Sequence, residues 1–361
     1  MIPAHRARRC LALALGIALA GSSAARERAG IDLAAPWPRA AAREVGMDGP
    51  ALAAAMTRAA ALPRARSLLV ARRGRLVLES YFAGADASTL FDVRSVTKSV
   101  VGSLAGIALA EGRIALDDSI AGYLMPRYSL DGEDTSVRIR DLLDMTAGYV
   151  WNENDGPDYN IWIASADRVQ FLLDRPRASP AGAQFTYNSA AAHLLGVVLE
   201  LATGVRLPQY ADERLFRALG ASLVSWEPLD AGTVNGGSGI RLRAQDLLKF
   251  GQLFLQRGYS ADRSVLPEAW VDEVTRPRFD WRRRYGAQRS VSYGMLWWVA
   301  DAEPAAFFAW GYGGQFVYVV PSFELVVVTT TEWRQISETT PLALAEQLLG
   351  VIVEGVLPAV R

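Results

Sequence analysis

The sequence predicts an α+β fold, an antiparallel sheet flanked by helices, with a mainly helical region inserted into it. Three observations carry this. β-rich runs occur near the start of the chain and again near its end, the middle is helical by hydrophobic period, and no internal repeat or regular strand-helix alternation is present. The missing alternation argues against doubly wound and (β/α)8 architectures.

The elements follow in order. "PALAAAMTRAAAL" combines strong helix formers with no interior breaker and predicts a first helix. "SLLVARRGRLVLESYF" places two β-rich runs around Arg73-Gly74, a hairpin signature. Ser95 to Ala110 is long enough for a helix that stops at Gly112, and its apolar, Gly- and Ala-rich faces predict a central, closely packed position. "IRDLLDMTAGY", "RVQFLLDRP", "AAAHLLGVVLELATG" and "AQDLLKFGQLFLQRG" are helical by period. "SYGMLWWVA", "GQFVYVVP" and "FELVVVTTT" return to strands before a closing helix, "TPLALAEQLLGVIVEGV". Residues 46–361 therefore read as one domain, with a sheet region at about 46–110 and 285–361 and a mainly helical region at about 111–284.

The termini and composition narrow the setting. Residues 1–25 have Arg6, Arg8 and Arg9 ahead of an apolar run from Cys10 to Ala20 and then small residues, the pattern of a cleaved secretory signal. Cleavage near Ala24 or Ala25 would remove three arginines and the single cysteine, leaving an exported chain without a disulfide and without stable membrane insertion. Residues 26–45, rich in Pro, Ala and Gly, read as a leader to the fold, and the location expected is the periplasm or outside the cell. Acidic and basic residues balance at 38 each with no basic run beyond the N-terminus, which argues against a nucleic-acid partner. With only His5, His193 and Cys10 as soft ligands, no metal site and no cofactor are expected.

The chemistry is concentrated in "FDVRSVTKSV". Arginine supplies nearly all the positive charge of this chain, yet Lys98 stands three residues after Ser95 and at the head of an apolar helix. On a helix, residues i and i+3 share a face. Serine needs a base within hydrogen-bond reach to become a nucleophile. A desolvated lysine can serve as that base, whereas arginine stays protonated. The start of a helix also favours negative charge developing beside the serine. The other lysine, Lys249, reads as a solvent-facing helix residue. His193 reads as a satisfied helix histidine, and no G-x-S-x-G surrounds Ser95, so neither a His-based triad nor an α/β-hydrolase is favoured.

The chain resembles the serine β-lactamase-related hydrolases, a family that includes class C β-lactamases, D,D-peptidases, esterases and 6-aminohexanoate-dimer hydrolases. The resemblance covers about residues 50 to 355. It rests on "SVTKSVVGSLAGIALAEGRIALDDSI", "LLDMTAGY", "GAQFTYNSAAAHLLGVVLE", "GGSGIRLRAQDLLKFGQLF" and "WGYGGQFVYVVP", in the family's order. It implies a β-lactamase/transpeptidase-like fold, Ser95 as acyl-accepting nucleophile, Lys98 as partner base and Tyr187 as the tyrosine that exchanges protons. It further implies an oxyanion hole from the backbone N–H groups of Ser95 and Gln315, and substrate contacts from Ser189, Trp310, Tyr312, Gly313 and Gly314.

Two positions depart from the family pattern. Ser189 stands where the Tyr-x-Asn motif has asparagine, and Tyr312-Gly313-Gly314 occupies the place of Lys-Thr-Gly or His-x-Gly. Loss of a cation there removes the charge that would grip a carboxylate. The expected activity is hydrolysis of small esters or linear amides through an acyl-enzyme. A β-lactamase or D,D-peptidase acting on β-lactams or peptidoglycan peptides is the alternative, and a catalytically weak cell-wall binding module is a second.

Overall fold

The computed structural model describes residues 30–221, 225–230, 232–334 and 339–361. The expected secretory signal, residues 1–25, lies outside them. One eight-stranded antiparallel sheet dominates. Its strands are β1 (Ala65–Arg72), β2 (Arg75–Tyr81), β3 (Phe279–Tyr285), β4 (Gln288–Tyr293), β5 (Trp298–Ala300), β6 (Ala306–Gly311), β7 (Gln315–Val320) and β8 (Leu325–Thr331). The spatial order is β3-β4-β5-β6-β7-β8-β1-β2. The two ends of the chain meet where β1 pairs with β8, with Leu68 opposite Thr329 and Val70 opposite Val327. Both strands are buried almost throughout, as an interior pair covered by helices should be.

The long helices are α1 (Gly49–Ala60), α2 (Val96–Ala110), α3 (Ser189–Thr203), α4 (Ala244–Leu255) and α5 (Pro341–Val351). As its composition predicts, α2 is central: Val96 to Ala108 are all buried. Trp270 packs directly on this helix. A Cβ on Gly106 would come within 2.1 Å of Trp270 Cδ1, and the carbonyl of Gly102 accepts the Trp270 indole N–H at 3.1 Å. The run Pro341–Ala359 is long and apolar enough to cross a bilayer, but 56% of it is buried within the protein.

Three sequence expectations are modified. The sheet begins earlier than 285, because "FDWRRRY" and "QRSVSY" form the β3-β4 hairpin. This edge strand hides its apolar period behind Arg282, Arg283 and Arg284, exposed charges of the kind that deter edge-to-edge pairing. Next, α4 belongs to the sheet layer instead of the helical region. A Cβ on Gly251 would meet Val326 and Val317 at 2.6 and 2.7 Å, so α4 lies directly on β7 and β8. Finally, the leader is part of the domain from residue 30 onward. Ile31 N–H donates to Gln256, Leu33 N–H to Ser260 and Ala40 N–H to Leu76 on the free edge of β2.

Lys249 is a fourth correction: it is buried, not solvent-facing. Its Nζ donates to the carbonyl of Leu219 at 2.9 Å and to that of Ala35 at 3.4 Å. The leader covers the face that a helical reading leaves to water.

Candidate active site

The segment before α2 is held in an unusual shape. Phe91 pairs with Leu242 of a short strand, Ile240–Leu242, and Val93 N–H donates to the Ile240 carbonyl. Arg94 adopts φ +49°, a left-handed conformation that is costly for a residue with a Cβ, and Asp92 Oδ1 accepts its N–H at 3.1 Å. The chain therefore turns sharply into α2 and leaves Ser95 at its N-cap, where the hydroxyl makes no capping bond.

One turn on, Lys98 is 1% exposed. Its Nζ donates to Ser95 Oγ at 2.8 Å, to Ser189 Oγ at 2.8 Å and to the Gly237 carbonyl at 2.9 Å. Burial is the chief influence on the amine and pulls its pKa down to about 8; Glu153 opposes this shift and Arg94 adds to it. On the order of a tenth of the amine is therefore neutral at pH 7, and about half at pH 8. The Gly237 carbonyl that accepts from Lys98 gives the "GGSGI" segment a role that the sequence alone did not show.

Tyr187 ends the loop that leads into α3. Asn188 caps this helix, its Oδ1 accepting Ala191 N–H at 3.0 Å, so the middle residue of the Tyr-x-Asn motif fixes the backbone. The Tyr187 ring lies 4.9 Å from Lys98 Nζ and stacks on Trp298, with centroids 5.6 Å apart. Burial raises the Tyr187 pKa well above the ordinary phenol value, Glu153 raises it further, and Ser95 as a hydrogen-bond partner partly offsets the rise. Lysine and tyrosine are thus pushed apart: burial makes the ammonium easier to deprotonate and keeps the phenol protonated.

Ser189, expected among the substrate contacts, is 2% exposed and tied on both sides. It accepts from Lys98, and its hydroxyl donates to Glu153 Oε1 at 2.7 Å. Glu153 also accepts the Ser189 N–H at 2.6 Å and the Trp151 indole N–H at 2.7 Å. Sequence reasoning missed this carboxylate. "WNENDG" reads as a polar turn and carries no spacing that links it to Ser95.

The remaining expected residues lie around the β6-β7 hairpin. Tyr312, Gly313 and Gly314 form its turn, the two glycines at φ +84° and +95°. Gly311 and Gln315 pair across the hairpin, and the Gln315 side chain is buried against Thr331. Gly311 lies against the nucleophile segment, where a Cβ would sit 2.2 Å from the Val93 carbonyl. Trp310 is partly buried in an aromatic group with Tyr285, Trp298 and Phe316, and Trp298 links that group to Tyr187. Tyr312 is 43% exposed and meets Trp333 edge-on at 6.0 Å. Trp333 in turn faces the Arg94 guanidinium at 4.3 Å.

His193 stands apart from this chemistry, buried in α3 with Nδ1 3.2 Å from the Val234 carbonyl. A cleft of about 700 Å³ lined by Gln256, Phe254, Phe307 and Arg73 includes none of Ser95, Lys98 or Tyr187. Among the described residues, no group of three or more His, Cys, Asp or Glu side chains is arranged to hold a metal ion.

Comparison with known proteins places the chain in a family. The beta-lactamase family profile matches residues 51–349. A 6-aminohexanoate-dimer hydrolase of Paenarthrobacter ureafaciens is 25% identical over 288 residues, covering 74% of this chain and 72% of the relative. Among solved structures, EstCE1, described as a hydrolase with promiscuous acyltransferase activity, superposes with TM-score 0.66 at 16% identity, over 84% of this chain and 97% of the other. A penicillin-binding protein homolog from Caulobacter crescentus gives 0.64 at 18% identity, over 84% and 97%. At these identities the structural likeness concerns the fold.

Proposed function

The chain belongs to the beta-lactamase family and is a serine hydrolase of the penicillin-recognising superfamily, and from that premise we propose that it cleaves small esters or linear amides through an acyl-enzyme on Ser95. The observation that carries this reading is the 2.8 Å bond between Ser95 Oγ and a wholly desolvated lysine amine. Neutral Lys98 takes the Ser95 proton as Oγ attacks the carbonyl carbon. The oxyanion is assigned to Ser95 N–H together with a main-chain N–H of the β6-β7 hairpin, Gln315 by motif order. Tyr187, held as a phenol, passes a proton to the departing alcohol or amine as the acyl-oxygen or acyl-nitrogen bond breaks. Water then attacks the ester on Ser95, its proton returning through Tyr187 and Lys98, and the acid leaves.

Preference for an ester or linear amide follows from the hairpin. A β-lactam or a peptidoglycan peptide presents a carboxylate, and Tyr312 offers it no charge. Two cations near it, Arg94 and Arg334, are both already engaged by Trp333 and by Asp92, at 3.9 and 2.9 Å. The aromatic group of Trp298, Trp310 and Tyr285 supplies an apolar wall for an acyl or amine chain. The name of the Paenarthrobacter relative, 6-aminohexanoate-dimer hydrolase, supports the same class. Export to the periplasm or beyond the cell is part of this proposal and rests on the N-terminal pattern.

The test is hydrolysis of p-nitrophenyl acetate and butyrate, a linear 6-aminohexanoate dimer and a chromogenic cephalosporin, with Ser95→Ala alongside. Ester or amide turnover that disappears in Ser95→Ala, with the cephalosporin intact, is the expected result. Rapid cephalosporin hydrolysis would replace it with the β-lactamase reading.

A further inference from the structure

Glu153 belongs to none of the motifs that mark this site, yet it makes three hydrogen bonds at its edge. Its oxygens accept the Ser189 hydroxyl and N–H at 2.7 and 2.6 Å and the Trp151 indole at 2.7 Å. The Ser189 N–H belongs to the first turn of α3, where a negative charge is favoured.

The consequence lies in proton counting. Ser189 has one hydroxyl proton, and a carboxylate can only accept, so that proton points to Glu153 and leaves lone pairs toward Lys98. The Lys98 ammonium has three N–H donors and three neighbours: Ser95 Oγ, Ser189 Oγ and the Gly237 carbonyl. When it loses one proton, two donors and a lone pair remain. Gly237 can only accept, and Ser189, with its proton committed to Glu153, can likewise only accept. The lone pair is therefore left for Ser95, whose hydroxyl can rotate and donate. Were the Ser189 proton free to turn, two hydroxyls would compete for the amine.

We infer that Glu153, acting through Ser189, is a positioning residue that aims the lone pair of the Lys98 amine at Ser95. The inference rests on the reading of Ser95 as nucleophile and Lys98 as its base. Glu153 touches neither, so its role is to fix the direction of proton transfer.

The charges around the amine define the sign of the test. Arg94 faces it from the turn before α2, Glu153 from the loop after Trp151 and Tyr187 from the segment before α3. Behind them, Tyr159 lies beside Arg94, Tyr293 of β4 lies against the Tyr187 ring, and Asp144 acts on Tyr293. Of these, Glu153 is the one that favours the charged form of Lys98. Removing its charge should lower the pKa of the amine.

The chain has only two lysines, so lysine-selective 15N labelling gives two side-chain signals, and Lys249→Arg assigns them. The experiment titrates Lys98 Nζ by NMR in the parent, Glu153→Gln and Glu153→Asp, and measures the rate of Ser95 acylation by p-nitrophenyl butyrate in each. Glu153→Gln is expected to move the Lys98 midpoint to lower pH and to slow acylation ~10- to 100-fold, the scale of a misaligned reacting group. Glu153→Asp should recover part of both. Ser189→Ala, which cuts the link but keeps the carboxylate, should slow acylation comparably. An unmoved Lys98 midpoint together with acylation within about twofold of the parent overturns the inference alone, even if Glu153→Gln lowers thermal stability. A parent that does not acylate at Ser95 overturns the hydrolase reading and the inference with it.

Discussion

The two lysines of this chain sit in helices of the sheet layer, and both are buried, Lys98 to 1% exposure and Lys249 to 8%. They differ in what surrounds the amine. Lys249 points at the carbonyls of Leu219 and Ala35, groups that accept and never donate. Lys98 has one carbonyl and two hydroxyls, one of them on the nucleophile. A neutral amine at Lys249 would face its lone pair at nothing that carries a proton; at Lys98 it faces Ser95. Burial lowers both pKa values, and the acceptors decide which lysine can act as a base. Lys249 instead ties the leader and the Leu219 turn to α4, a structural use of the same side chain.

Arginine substitution should separate the two most widely. Lys98→Arg keeps the charge but removes the titratable amine, and kcat/KM should fall by ~10³-fold or more, whereas Lys249→Arg should stay within a few-fold of the parent. Equal losses in both would break the distinction. Tyr187→Phe follows, with an expected loss of ~10²- to 10³-fold measured by single-turnover acylation and deacylation, since the proton must then reach the leaving group unaided.

Stability gives the comparison a second axis. The folded pKa of Lys98, about 8, lies below its unfolded value of 10.5, so between these pH values the unfolded chain holds a proton that the folded chain lacks. Stability therefore rises with pH across that window, and below it the folded state bears the full penalty, on the order of 3 kcal/mol. Lys98→Met removes the penalty but leaves the Gly237 carbonyl without its donor. The Tm of this variant relative to the parent should be highest near neutral pH and should fall as pH rises from about 8 toward 10.5. Lys249→Met also relieves some desolvation, but it takes the donor from the buried Leu219 carbonyl and the half-buried Ala35 carbonyl, a loss of about 1–3 kcal/mol read as a lower Tm. The seat of α2 offers a last, smaller test. Gly106→Ala drives a methyl into Trp270 and should cost about 2 kcal/mol by denaturant unfolding.

How much of this was legible in the sequence depended on range. Ser95 and Lys98 share a helix turn, so their meeting follows from local geometry, as does the sheet built from both ends of the chain. Tyr187 came from a motif, and the structure adds the physical reason for its place: Asn188 caps α3 and Trp298 backs the ring. Glu153 was hidden because only the tertiary fold brings its loop to the start of α3. The buried state of Lys249 was hidden for the same reason, since the leader that covers it is far away in the chain. The β3 strand escaped notice because three consecutive arginines mask a period that an edge strand does not need. The place of Tyr312-Gly313-Gly314 came from motif order, and the structure adds that these residues form the turn beyond β6, with Gly311 approaching the Val93 carbonyl.

The central claim is that the desolvated Lys98 amine activates Ser95. Its most direct test is the pH dependence of kcat/KM for p-nitrophenyl butyrate in the parent and in Lys98→Arg, with the acylated residue located by mass spectrometry. The parent rate should rise with pH through a midpoint near 8, because the neutral amine is the working form, with the acyl group on Ser95 and acylation slowed ~10³-fold or more in Lys98→Arg. A rate independent of pH between about 6 and 9, or a Lys98→Arg variant that acylates Ser95 at the parental rate, would contradict it.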